Sequence, residues 1–348
     1  MMRSGMSFLA VLVVVSIAMV SVVAPPVRAS TGPLGNAWDR PLAGQKAAYP
    51  LPLGVCDWTI GKTGDPAAFE VAARLGLDGV QVSLVPKGET LALADEEFRR
   101  TFLRAVRRAR IPIASFAIGE LNEVPLKSDP RAEKWVAKGI EIAAIMEVKI
   151  ILVPFFGKGE LRDDPAGTDA VVAALKRLAP KAAERGIILA LESYLSAVDN
   201  LKILERVGSP AVKVYYDVGN SQDMGYPVLS EIRELGARIA EVHAKDTKDL
   251  YGKGSMDFMA VRRALEDIGY KGWFVIEGTK MPLGVEESVR YDADYLRIVF
   301  GKVDESPASP EAEPASAVTV LSKQERQPPK LLKHAAPEYP FKALRSNV

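Results

Sequence analysis

Cysteine is nearly absent from this 348-residue chain, with Cys56 the single one. No intramolecular disulfide can form, so stability must come from packing, with or without a metal, and Cys56 itself reads as a small buried hydrophobe. Histidine is almost as scarce: His243 and His334 are the only two. Any metal site must therefore draw mainly on carboxylates. An excess of one charge is missing too. The 45 basic and 44 acidic residues leave a net charge of +1, which supplies no global field to gather nucleic acid or an anionic membrane. A glycine-rich phosphate turn is also absent, because Gly61-Lys62-Thr63-Gly64 after the first apolar run lacks the required spacing.

What is present suits one large α/β domain with extensions, since 48% of residues are hydrophobic. At the N-terminus, Arg3 precedes an apolar stretch from Phe8 to Ala24, and Val27-Arg28-Ala29 offers small residues for cleavage before Ser30. Residues 1–29 read as a signal peptide that exports the chain to a periplasmic or extracellular space. The alternative is an uncleaved segment that anchors the chain in a membrane. Residues 30–50 read as an extended lead-in. Beyond the main domain, assigned to residues 51–302, the Pro/Ala/Glu-rich run from Ser306 to Pro314 opens a tail over 303–348 that is expected to be disordered.

Between Leu53 and Phe300 an apolar run, a loop and an amphipathic stretch recur eight times. The predicted strands are Leu53 to Trp58, Gly79 to Val85, Pro112 to Ala117, Lys149 to Phe155, Ile187 to Glu192, Val212 to Asp217, Ile239 to His243 and Trp273 to Glu277. Continuous β-branched runs suit strands covered on both faces, as in parallel sheets. The intervening stretches carry helical faces, such as Phe98, Phe102, Val106 and Ala109, or Val171, Leu175, Leu178 and Ala182. Glycines ahead of several strands, at Gly79, Gly186 and Gly272, read as helix-ending positions with left-handed backbone. Eight such units predict a closed (β/α)8 TIM barrel, with an open doubly wound sheet as runner-up.

Four residues stand out at the ends of the last four strands: Glu192, Asp217, His243 and Glu277. An unpaired buried carboxylate costs several kcal/mol, about the scale of a whole domain's stability, so a cluster of three needs a compensating cation. In a barrel these strand ends converge on one mouth. Three carboxylates and one imidazole form an oxygen-rich set that favours one divalent metal, manganese first, with magnesium, cobalt or zinc as alternatives. Taken singly, each residue could equally cap a loop or join an ion pair. Trp58 and Gln81 end strands one and two and could line a small-molecule pocket, while Lys245 and Asp246 could orient a hydroxyl or form a surface ion pair.

These segments resemble the xylose isomerase-like TIM-barrel superfamily, in particular its sugar and sugar-phosphate isomerase and epimerase branch. The residues that carry the likeness are Leu191-Glu192-Ser193, Tyr216-Asp217-Val218-Gly219-Asn220, Val242-His243-Ala244-Lys245-Asp246, the Gly252 to Phe258 segment, and Gly269-Tyr270-Lys271-Gly272-Trp273 leading to Glu277. The resemblance implies that Glu192, Asp217, His243 and Glu277 are the metal ligands and that Glu192 and Glu277 also form the acid/base pair. It further implies carbohydrate metabolism by proton transfer through an enediolate. Asn220 stands where free-ketose 3-epimerases of the superfamily carry His, and Val198 where they carry a second Glu, so binding of substrate hydroxyls is altered.

The expected protein is a secreted, metal-dependent sugar epimerase or aldose–ketose isomerase whose partner is a small sugar or keto-sugar rather than nucleic acid. The alternatives are a dehydratase or lyase acting on keto-sugars or keto-inositols, and a noncatalytic carbohydrate-binding barrel. Oligomeric state is left open by the sequence.

Overall fold

In the computed structural model, residues 49–301 are described with the exception of Thr279. The expected signal segment, nearly all of the lead-in, the tail and His334 lie outside the described residues. No described helix is long and apolar enough to cross a membrane.

Eight strands form the barrel: β1 (Leu53–Cys56), β2 (Gly79–Ser83), β3 (Ile113–Ala117), β4 (Ile150–Phe155), β5 (Ile188–Ser193), β6 (Val212–Asp217), β7 (Ile239–Ala244) and β8 (Phe274–Ile276). Each pairs in parallel with its sequence neighbours, and β1 closes on β8 through Leu53–Phe274, Gly54–Val275 and Val55–Ile276. All eight lie within three residues of the bounds expected from the sequence. Their residues are almost wholly buried, as strands between a helical shell and a filled interior must be. The sequence reading missed a small antiparallel hairpin, Pro86–Lys87 with Thr90–Leu91. Two-residue strands are too short to show a period.

The helices are α1 (Ala68–Arg74), α2 (Glu96–Ala109), α3 (Pro130–Ile145), α4 (Pro165–Glu184), α5 (Ala197–Val207), α6 (Val218–Asp223), α7 (Val228–Leu235), α8 (Phe258–Asp267) and α9 (Val285–Phe300). Their starts are chemically marked. Asp129 and Asp164 cap α3 and α4 ahead of Pro130 and Pro165, the prolines standing where a missing N–H costs nothing. Asp257 caps α8 by accepting from the Ala260 N–H at 2.9 Å, as its position before Phe258 implied. Val171, Leu175, Leu178 and Ala182 form the buried face of α4.

Of the three glycines expected to be left-handed, only Gly186 is, with φ of 63°. Gly76 and Gly269 take that conformation in the corresponding turns. Gly79 serves sterically instead, since a Cβ there would sit 2.6 Å from the Trp273 ring.

Candidate metal centre

The register of the last four strands brings the four singled-out residues together. Asp217 is paired with His243 across β6 and β7, and the Glu277 N–H donates to the Ala244 carbonyl at 3.0 Å, which sets Glu277 just beyond the end of β8. One ligand atom from each of Glu192, Asp217, His243 and Glu277 lies within 4.8 Å of all the others. His243 Nδ1 is 3.0 Å from Glu192 Oε1 and 3.9 Å from both Asp217 Oδ2 and Glu277 Oε2. His243 is fully buried and Asp217 nearly so.

Lys245 reaches the same place. Its Nζ donates to Glu277 Oε2 at 2.7 Å and lies 3.3 Å from Asp217 Oδ2. The stem of that lysine passes so close to α6 that a Cβ on Gly219 would meet its Cγ at 2.7 Å. Glycine at 219 is therefore required by close approach rather than by backbone twist. Of the two readings offered for Lys245 and Asp246, a surface ion pair is not what Lys245 makes, since its partners are Asp217 and Glu277. Asp246 is buried instead and accepts from the Lys248 and Met256 N–H groups, shaping the loop after β7.

Burial opposes ionisation throughout the cluster. It raises the Asp217 carboxyl, with Glu277 and Glu192 adding to the rise and Lys245 opposing it. At Glu277 burial pulls the same way but is outweighed by Lys245, His243 and the Trp58 N–H, so that carboxyl is held low. For His243 burial disfavours the imidazolium, yet the adjacent Glu192 carboxylate prevails and raises its pKa. Asp217 is anchored through Oδ1, which caps α6 by accepting the Asn220 N–H at 2.8 Å. Its other oxygen, Oδ2, is buried without a hydrogen bond. A buried carboxylate oxygen that makes no hydrogen bond, has Lys245 Nζ at 3.3 Å as its cationic neighbour and is grouped with ligand atoms of Glu192, His243 and Glu277 is what a divalent cation would complete, and the oxygen-rich set fits such an ion.

The remaining residues named from the sequence are placed as follows. Trp58 is half-buried beside the cluster and donates its indole N–H to Glu277 Oε1 at 3.2 Å. Asn220 is buried, with its backbone spent on Asp217. Gln81 does not line a pocket. It is fully buried behind His243, with its Oε1 2.8 Å from His243 Nε2. Cys56 is buried as expected, and its thiol donates to that same oxygen at 3.2 Å. Val198, which the resemblance sets opposite a Glu of the free-ketose 3-epimerases, is 47% exposed on α5.

Sequence reasoning missed Ser115, Tyr215 and Glu241, which sit with Gln81 inside the barrel. One signal was available: Glu241 precedes His243 by two residues on a strand and so shares its side of the sheet. Burial pushes the Glu241 carboxyl up to about 8, against a hydrogen bond from Ser115 and the nearby His243. A carboxyl with a raised folded-state pKa binds its proton more tightly when folded. Stability is then greatest below the unfolded value of about 4.3 and falls as pH rises toward about 8, by on the order of 3–5 kcal/mol. Glu241→Gln is expected to remove this part of the fall, as measured by the difference from wild type in denaturant unfolding at about pH 5 and about pH 8.5.

Comparison with known proteins agrees with this architecture. A family profile described as Xylose isomerase-like TIM barrel matches residues 69–299. The 2-epi-5-epi-valiolone 7-phosphate 2-epimerase of Actinoplanes sp. is 31% identical over 199 residues, covering 56% of this chain and 72% of that protein. The L-ribulose 3-epimerase of Methylomonas sp. is 24% identical over 236 residues, covering 64% of this chain and 80% of its own. The crystal structure of 3-keto-D-glucoside 4-epimerase from E. coli, 17% identical, superposes with a TM-score of 0.62 over 72% of this chain and all of its own, which establishes a shared fold. With the profile spanning β2 to β8 and the whole carboxylate–histidine cluster, the chain belongs to the xylose isomerase-like TIM barrel family.

Proposed function

We propose that this protein is a divalent-metal-dependent sugar epimerase or aldose–ketose isomerase, with Glu192 and Glu277 as its proton-transferring pair. One observation carries the reading: two glutamates, rising from β5 and from the end of β8, flank Asp217 and His243 in a single four-residue cluster. When bound by Glu192, Asp217, His243 and Glu277, a divalent cation would polarise a carbonyl and its neighbouring hydroxyl and offset the charge of an enediolate.

The chain's own groups supply the rest. One glutamate takes the proton from the carbon beside the carbonyl. Return of a proton by the other glutamate to the opposite face inverts that carbon, and return to the adjacent carbon interconverts aldose and ketose. General acid/base transfer of this kind contributes about 10²–10⁴-fold. Asp217 and His243 are buried, and Trp58 and Lys245 fix the Glu277 carboxylate by one bond to each oxygen. The epimerase relatives support the reaction class. The export segment read in residues 1–29 favours an unphosphorylated sugar.

The test is incubation with free and phosphorylated ketoses in deuterated water. Label is expected at the carbon beside the carbonyl, with unchanged product mass apart from the label, and a chelator is expected to abolish it. A product lighter by one water would instead indicate a dehydratase. Absence of exchange over the whole ketose panel, with Mn²⁺ supplied, contradicts the proposal.

A further inference from the structure

The interior of a barrel of this type is normally packed with branched aliphatic side chains. Here the layer directly behind the carboxylate–histidine cluster is polar. His243 Nε2 lies 2.8 Å from Gln81 Oε1, and the Cys56 thiol donates to that same oxygen at 3.2 Å. The amide nitrogen of Gln81 donates to Ser115 Oγ at 2.9 Å and to Tyr215 Oη at 3.0 Å. Ser115 in turn donates to Glu241 Oε1 at 3.1 Å. Gln81, Ser115, Glu241 and His243 are fully buried, and Tyr215 is 1% exposed.

The direction of this chain of bonds follows from its far end, where Glu241 Oε1 accepts from Ser115, as a carboxylate oxygen or the carbonyl oxygen of the protonated acid can. A hydroxyl has one proton to give. Ser115 gives it to Glu241 and can only accept from Gln81, so the amide must turn its NH₂ end toward Ser115 and its oxygen toward His243. An amide oxygen accepts and cannot donate. Gln81 Oε1 at Nε2 and the Glu192 carboxylate at Nδ1 both accept from the ring, so where a cation takes up that carboxylate the proton of a neutral His243 is held on Nε2 and the lone pair is left on Nδ1, the nitrogen that faces Glu192, Asp217 and Glu277.

We propose that Gln81, aimed by Ser115 and Glu241, is a positioning residue that presents Nδ1 of His243 to a divalent cation. This rests on the metal reading of the cluster but not on any reaction. It also replaces sugar binding as the role of Gln81, whose oxygen and nitrogen are both occupied inside the protein. Ligating histidines commonly donate their second N–H to such an acceptor, and loss of the acceptor typically weakens metal binding about 10–100-fold.

The experiment uses the full chain, stripped of metal, titrated with Co²⁺ and separately melted without metal. Gln81→Leu keeps the bulk and removes the acceptor, and it is expected to weaken Co²⁺ binding about 10–100-fold. Gln81→Glu keeps an acceptor and is expected to retain Co²⁺ binding while lowering the metal-free melting temperature, because it buries a further carboxyl. A residue that only filled space would move both readouts together. Ser115→Ala, which frees the amide to turn, is expected to weaken Co²⁺ binding by a smaller factor and keeps the question open to measurement if the Leu variant does not fold.

In a His334→Asn background a single ¹⁵N-labelled imidazole remains, and with diamagnetic Zn²⁺ supplied its proton is expected on Nε2. Unchanged Co²⁺ affinity in folded Gln81→Leu, or a proton found on Nδ1, overturns the proposal. Wild-type protein that takes up no Co²⁺ contradicts the metal reading itself, whereas wild-type uptake that Gln81→Leu leaves unchanged contradicts the positioning role alone.

Discussion

Glu192→Gln and Glu277→Gln are each expected to reduce turnover by about 10²–10⁴-fold or more, even with Mn²⁺ in saturating excess. Glutamine matches glutamate in size but cannot take up a proton, and as a neutral ligand it also weakens cation binding. Saturating metal separates the two effects: occupancy recovers, and the loss that remains is the proton-transfer contribution. If the two carboxylates serve opposite faces of the substrate carbon, each variant should still exchange deuterium into the epimer served by the glutamate that is left, while net inversion stops. Deuterium exchange followed epimer by epimer makes the measurement. Full turnover in either variant at saturating Mn²⁺ contradicts the assigned roles.

Lys245→Met is expected to tighten Mn²⁺ binding by at least about tenfold while destabilising the metal-free protein by about 3–5 kcal/mol. The ammonium is a rival for the cation, since it contacts two of the same oxygens, Asp217 Oδ2 at 3.3 Å and Glu277 Oε2 at 2.7 Å. When ionised, Glu192, Asp217 and Glu277 carry three negative charges, and Lys245 reduces the sum to two, which one divalent ion neutralises. A unit charge at about 4 Å is worth about 4 kcal/mol at an effective dielectric of about 20, so removing the lysine should strengthen the field on the ion well beyond a tenfold effect on affinity unless carboxyl protonation absorbs part of it. Methionine keeps the stem that packs along Gly219. Paired titration calorimetry and metal-free denaturation provide the test. Affinity that falls together with stability would show that Lys245 supports the ligands rather than competing for them.

The barrel was legible in the sequence because each strand is buried on both faces and is punctuated by capped helices. Continuous apolar runs such as Ile151, Leu152 and Val153 alternate with amphipathic stretches such as α2 and α4. The four cluster residues were legible for the opposite reason: each is a polar group at the end of an apolar run, where hydrophobic burial alone offers no account of it.

What lay behind them was not legible, because it depends on register. The pairing of β6 with β7 shifts between Val214 and Tyr215, so that Val214 opposes Ile239 but Tyr215 opposes Glu241 and Asp217 opposes His243. Without that one-residue irregularity Tyr215 and Asp217 would fall out of phase with Glu241 and His243, and nothing in the string of residues marks it. Gln81 was read as a pocket residue because its place near the end of β2 was visible, while its contact with the back of an imidazole on β7 was not. Lys245 was read as equally suited to a surface pair because a lysine two residues past a ligand says nothing about which way its stem runs. The room left by Gly219 decides that.

The most direct measurement of the central claim is titration of metal-free wild-type protein with Mn²⁺, beside Asp217→Ala. The four donor atoms lie within 4.8 Å of one another, and the account predicts saturable uptake of one Mn²⁺ per chain that Asp217→Ala largely abolishes. Wild-type protein that binds no Mn²⁺, or that binds it equally well without the Asp217 carboxylate, contradicts it.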